Sequence, residues 1–300
     1  MPLVPAHRYC QDVSVANSGP SIVVYSDVDR VLLEPHKPYF ATAAAALKDL
    51  APDDMALVLC SGKTRAELEF IQQKLDINHP FICENGGAVL IPDDYFPFDV
   101  AHTRSLPGYQ AVEFGRAYAD VVEILHRTAD DLRIQVVGFS DMSIEEVARE
   151  CRLPMLQARL AKLREYEEPF RLLTPSSAAW SRLCRALQSA SLRCTRAQGF
   201  DRVGAPVDRS VGVNLLNSLY RRAVAAVTTI GVTHTMHEDN LLPLVDYPIM
   251  VADDDAVAGG VGVPGGVDAI DWAEAIVGTV QEIRRNRRPR CVEMPLHGRQ

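Results

Sequence analysis

Two short, unbroken apolar runs near the start of the chain limit what it can fold into. Residues 21–34 read SIVVYSDVDRVLLE and residues 55–60 read MALVLC, the second followed by a Ser61-Gly62 turn and the amphipathic stretch KTRAELEFIQQKL. Runs of this length rich in Val, Ile and Leu fit strands buried on both faces, as in a parallel sheet, better than helices. Strand then helix, repeated, predicts a parallel sheet with crossover helices. Asp27 and Asp29 stand where the first strand leaves the core, and in an open α/β sheet ligands bind at the carboxyl ends of strands. The pair is therefore either a polar strand end that caps a turn or a pair of carboxylates placed for chemistry.

The same rhythm recurs along most of the chain. Ala-rich residues 39–50 predict a helix, and Pro52-Asp53-Asp54 a turn. PFICENGGAVLIP, residues 80–92, predicts two short strands around Asn85-Gly86-Gly87, a turn chemistry suited to a hairpin. From 103 to 204 the character changes. Helical stretches such as IEEVARECRL and PMLQARLAKLREYEE mix with strands at LRIQVVGF, PFRLL and SLRCTRA, which predicts a separate α+β unit. Beyond it, VDRSVGVNLLNSLYRRAVA predicts a helix, and VTTIGVT and YPIMVADD predict strands. The expected fold is α/β: a Rossmann-like parallel-sheet core formed by residues 1–102 and 205–300, interrupted by an inserted α+β unit at 103–204.

Composition narrows the class further. A chain of 300 residues that is 47% hydrophobic has ample material for a buried core. No stretch approaches the 18 or so uninterrupted apolar residues of a membrane helix, and MPLVPAHRYCQD lacks the apolar centre of a signal peptide, so a soluble cytoplasmic protein is expected. A net charge of −8 gives no general attraction to nucleic acid or anionic membrane, while leaving room for an acidic substrate in a locally basic pocket. Seven cysteines, at 10, 60, 83, 151, 184, 194 and 291, form no CxxC pair and point to neither a disulfide framework nor a zinc ribbon. Oligomeric state leaves no mark in the sequence.

DVDRVLL at 27–33, with a Ser-Gly-Lys turn after the next strand, resembles the haloacid dehalogenase superfamily of phosphatases. CSGKTRAEL and CENGGAVLIP within 60–92, GFSDMSIEEVA at 138–148, AKLREYEEPF at 161–170 and DYPIMV at 246–251 narrow the resemblance to the mannosyl-3-phosphoglycerate phosphatase family, over roughly residues 20 to 280. The resemblance implies a phosphorylated sugar or glycoside as substrate and an inserted cap that selects it. Asp27 would be the nucleophile, forming an aspartyl-phosphate. Asp29 would be the acid/base, and Ser61 and Gly62 would bind the phosphoryl oxygens. Mg2+ would be held partly by Asp27 and the Asp29 carbonyl. In the cap, Asp141, Met142 and Ser143, with Arg164, Glu165 and Glu168, become candidates for substrate contact. Ser143 with Glu146 also fits a capping box, and Tyr166 reads better as packing.

Several positions depart from the family pattern. Arg30 and Val31 replace Gly and Thr after the second aspartate. VDRSVGV offers Arg209 where a lysine is expected, and a planar guanidinium is not a lysine's point charge. The fourth motif, which supplies magnesium carboxylates, falls on THTMHE at 233–238, with His234 at the first carboxylate position. Glu238 or Asp239 would then have to complete the magnesium site. Alternatively, His234 and His237 would bind Zn2+ or Mn2+. The competing expectation is a degenerate member that binds a sugar phosphate or a protein partner without turnover.

Overall fold

A computed structural model describes residues 20–29, 54–197, 199–233, 241–250 and 272–287. The large sheet begins with β1 (Ile22–Asp27) and β2 (Met55–Cys60), whose residues are all buried. Pleating sends alternate side chains to opposite faces. Ile22 and Val24 enter one core cluster with Leu68, Ile71 and Leu75 of α1 (Arg65–Leu75). Val23 and Tyr25 enter the other, on the opposite face. A strand covered on both sides must be apolar throughout, and each such side chain contributes roughly 1.5–3 kcal/mol by its burial. Thr64 starts α1 with a capping box: its side chain accepts from the Glu67 N–H, and Glu67 accepts from the Thr64 N–H.

The chain continues through β3 (Phe81–Cys83), a single 3-10 turn at Glu84–Gly86, and β4 (Ala88–Pro92), antiparallel to β3 as the hairpin reading expects. β5 (Arg104–Leu106) and β6 (Tyr109–Glu113) follow, and both join the large sheet, β6 pairing with β4. The large sheet therefore runs on to Glu113, beyond the boundary at 102 drawn from sequence. β5 is the edge strand and β6, between β4 and β5, is mostly half-buried; neither carries a continuous apolar run, which hid them.

Residues 118–204 form a second unit: α2 (Tyr118–Asp131), β7 (Val136–Gly138), α3 (Ile144–Cys151), α4 (Met155–Ala161), β8 (Glu168–Leu172), α5 (Ser177–Ser189), β9 (Arg193–Thr195) and β10 (Asp201–Gly204). Its antiparallel sheet has the order β7-β8-β10-β9. Leu125 and Leu183, from α2 and α5, pack on Phe170 and Val203 of that sheet. The helix expected over 154–168 ends at Ala161; residues 162–167 run irregularly into β8. The large sheet then resumes with α6 (Arg209–Ala223), β11 (Thr228–Thr233), β12 (Tyr247–Met250) and α7 (Trp272–Arg287). Val213, Leu216 and Tyr220 of α6 complete the core on the Val23 face.

Among the described residues the large sheet has the order β12-β11-β1-β2-β3-β4-β6-β5, with β12 through β3 parallel. Connections from β1 run to one side through β2 and β3, whereas β11 and β12 lie on the other side. The order thus reverses at β1, the place where α/β sheets open a crevice for ligands. The helix expected at 39–50 lies outside the described residues. Among those described, no helix is long and apolar enough to cross a membrane.

Candidate active site

Asp27 is the last residue of β1, at the switch point, and only 2% of its surface is exposed. Its Oδ1 accepts the Val28 N–H (2.8 Å) and faces Arg209 Nη1 at 3.4 Å. A buried carboxylate needs such donors to remain charged. Arg209 opens α6 after the N-cap Asp208, and its Nη2 donates to Asn85 Oδ1 (3.3 Å), so the planar fork reaches two partners. This approach depends on Gly86, which has φ +99°; a Cβ there would lie 2.2 Å from the Asp208 carbonyl oxygen.

Next to Asp27, β2 ends and the chain turns at Ser61-Gly62. Ser61 is buried, and its Oγ accepts the Lys63 N–H at 3.1 Å. The neighbouring 3-10 turn holds this one in place: Asn85 N–H donates to Ser61 O and Glu84 N–H to Lys63 O, both at 3.0 Å. Asp29 is more open, with 54% of its side chain exposed, and pairs with Lys63 Nζ at 3.0 Å. Burial by itself would lower the pKa of Lys63, but Asp29 and Glu67 outweigh it and the pKa is raised, so the ammonium stays charged.

The second unit covers the turn with basic side chains. Arg164 Nη1 donates to Gly62 O (2.7 Å), and a Cβ on Gly62 would meet Arg202 Nη1 at 2.7 Å. Among these cations sits Glu167, whose Oε2 accepts from Asn85 Nδ2 (2.7 Å). Burial raises its pKa, against the pull of Arg202 and Arg164. A cation-lined turn beside a buried carboxylate can receive an anionic tetrahedral group.

Residues 24–121 match the family model described as haloacid dehalogenase-like hydrolase. A glucosyl-3-phosphoglycerate/mannosyl-3-phosphoglycerate phosphatase of Methanococcoides burtonii is 32% identical over 78% of this chain and 85% of its own length. The chain belongs to the mannosyl-3-phosphoglycerate phosphatase family. The mannosyl-3-phosphoglycerate phosphatase of Pyrococcus furiosus is 29% identical over 77% of this chain and 91% of its own. A solved haloalkanoate-superfamily phosphatase from Bacteroides thetaiotaomicron shares the fold, with TM-score 0.59 at 14% identity over 94% of this chain and 98% of that one. The chain is accordingly a phosphatase of the haloacid dehalogenase type.

Of the residues singled out from sequence, Asp27, Asp29, Ser61, Gly62, Arg164 and Arg209 come together around this turn. Ser143, Asp141, Met142 and Glu168 are instead tied into the second unit. Ser143 is the N-cap of α3, in a capping box with Glu146. Asp141 accepts the Gly138 N–H at 2.8 Å, and Met142 is buried beside Phe139 and Val147. Glu168, read as a candidate for substrate hydroxyls, instead turns its buried carboxylate to Ser140 N–H (2.9 Å), Ser140 Oγ (2.5 Å) and Tyr118 Oη (2.6 Å). Glu165 pairs with Arg65 (2.8 Å) and Arg104, so it lies in a seam between the two units.

Sequence reasoning did not single out Glu84, Glu167 or Arg202, and read Lys63 only as part of a helix start. All but Arg202 lie inside words that the family resemblance rests on, CSGKTRAEL, CENGGAVLIP and REYEEPF, where turn and helix-end chemistry already explained them. His234, His237, Glu238 and Asp239 lie outside the described residues, as do Arg30 and Val31. Among the described residues, no three His, Cys, Asp or Glu side chains gather closely enough to hold a metal ion. Asp27 and the Asp29 carbonyl offer hard oxygen donors, the type that magnesium takes.

Proposed function

We propose that this chain hydrolyses a phosphate monoester of a glycosylated acid, of the mannosyl-3-phosphoglycerate kind, through an aspartyl-phosphate on Asp27. The observation that carries this is the placement of Asp27: buried at the sheet's switch point, facing Arg209 at 3.4 Å, beside the Ser61-Gly62 turn. The names of the relatives supply the substrate class.

In the first half-reaction an Asp27 carboxylate oxygen attacks phosphorus, the bond from phosphorus to the ester oxygen breaks, and Asp29 gives its proton to the departing oxygen. In the second, Asp29 takes a proton from water as that water attacks phosphorus, releasing phosphate and restoring Asp27. Arg209, with Ser61 and the backbone N–H groups of its turn, counters the charge on the phosphoryl oxygens. Asp27 and the Asp29 carbonyl would hold magnesium, with Glu238 or Asp239 completing the set. When bound, the ion would lower the repulsion between carboxylate and phosphoryl group. The second unit acts as a cap: Arg164 and Arg202 extend the basic lining beyond the phosphate site, and closure excludes water.

The test is phosphate release from p-nitrophenyl phosphate and from mannosyl-3-phosphoglycerate, with magnesium, manganese or zinc supplied in turn. Asp27→Asn is expected to abolish turnover of both substrates, and Asp29→Asn to slow it by on the order of 10²–10⁴-fold. Unchanged turnover in Asp27→Asn overturns the covalent mechanism. No release by the wild type with any of the three metals supports the non-hydrolysing reading.

A further inference from the structure

Between α4 and β8 the chain presents three successive backbone N–H groups, those of Glu165, Tyr166 and Glu167, before the strand ladder begins at Glu168. Buried N–H groups require partners, and here one side chain from the large-sheet unit serves all three. Glu84 Oε1 accepts from Glu165 N–H (2.9 Å), and Oε2 accepts from Tyr166 N–H (3.0 Å) and Glu167 N–H (2.8 Å). Arg164 Nη1 lies 3.9 Å from the same Oε2.

At its other end Glu84 is anchored through its backbone beside the Ser61-Gly62 turn. It sits in the 3-10 turn with a left-handed φ of 44°, and its own N–H donates to Lys63 O. Two residues of the 164–167 segment also bond the neighbouring turns: Arg164 donates to Gly62 O, and Glu167 accepts from Asn85 Nδ2. Tyr166 is wedged against Gly87 and Gly115, where an added Cβ would come to 2.7 Å from the Tyr166 Cβ and Cδ1 respectively. The Tyr166 hydroxyl donates to Glu113 Oε1 (2.8 Å).

We propose that Glu84 is a positioning residue: its carboxylate fixes the 164–167 segment over the Ser61-Gly62 turn, setting where Arg164 and Glu167 meet the part of the substrate beyond its phosphoryl group. The inference rests on the phosphatase reading above. Glu84 touches no reacting atom; it acts through Arg164 and Glu167. A small aryl phosphate, which fills only the phosphoryl site, makes no demand on that segment, whereas a glycosylated substrate does.

The experiment compares wild type with Glu84→Gln, which keeps the side-chain length but turns an acceptor into an N–H donor facing backbone N–H groups. Amide hydrogen exchange of the 164–168 peptide is expected to quicken by about tenfold or more while the β1 and β2 peptides stay protected. KM for mannosyl-3-phosphoglycerate is expected to rise by about tenfold, with kcat/KM for p-nitrophenyl phosphate changed less than about twofold. Should Glu84→Gln fail to fold, Glu84→Asp, which keeps the charge and shortens the reach by one methylene, reads the same quantities. Unchanged exchange at 164–168 overturns the proposal, as does loss of protection throughout the chain or an equal loss on both substrates. If the wild type hydrolyses neither substrate, the phosphatase reading fails, and hydrogen exchange still decides whether Glu84 holds the segment.

Discussion

Arg209 illustrates what one guanidinium does that an ammonium does not. One branch faces Asp27 and the other bonds Asn85, so the carboxylate and the turn are tied through a single planar group. Arg209→Lys keeps the charge but loses the second arm, and kcat/KM for phosphate release is expected to fall roughly tenfold. Glu84, buried, and His79, half-buried, give stability an opposed pH dependence. Burial pushes Glu84 from its usual 4.5 up to about 7, despite the pull of Arg164 and three N–H donors, and pushes His79, bonded to Tyr95, from 6.5 down to about 4. The Glu84 contribution is complete below about 4.5 and is lost as pH rises through about 7. That of His79 is complete above about 6.5 and is lost as pH falls through about 4. Between about 4.5 and 6.5 the two slopes oppose each other. Urea midpoints at successive pH values are expected to rise with pH across that window in Glu84→Gln and to fall in His79→Asn.

At the level of elements, the site depends on how closely the start of α6 approaches the 3-10 turn between β3 and β4. Gly86 permits that approach through both its conformation and its missing side chain. Gly86→Ala sets a methyl 2.2 Å from the Asp208 carbonyl oxygen and strains a φ of +99°. The expected cost is about 2–4 kcal/mol in urea unfolding, with a loss of activity because Arg209 shifts away from Asp27. The capping box of α1 is a milder case. Thr64→Ala removes the acceptor for the Glu67 N–H and is expected to cost about 1 kcal/mol.

Across the whole molecule, the two units share an apolar anchor as well as the polar seam. Tyr166 comes from the chain entering β8, yet it packs into the core cluster of the large sheet with Phe81, Leu90 and Ala111. Arg65, Arg104, Glu113 and Glu165 surround it at the rim, where partly exposed ion pairs contribute little each. Tyr166→Ala is expected to cost about 3–5 kcal/mol, read as a lowered urea midpoint. If the second unit acts as proposed, KM for a glycosylated substrate should also rise more than for an aryl phosphate, because that unit loses its seat.

The parallel core was legible because strands such as IVVYSD and MALVLC must be apolar on both faces, and that necessity is written in consecutive residues. Asp27 and Ser61 were legible for a related reason: a polar residue at the end of such a run has no role in the core. β5 and β6 left little trace, since partly exposed strands share their surface with solvent and need no strict pattern. Glu84, Glu167 and Arg202 acquire their roles from partners far along the chain. Glu84 meets its three N–H donors some 80 residues away, a distance at which local propensity carries no information. The sequence by itself determined the sheet and the carboxylate at its switch point, because both follow from burial of neighbouring residues. Which charged groups gather above that carboxylate was decided only when the two units docked, because a charge is buried only where another group compensates it.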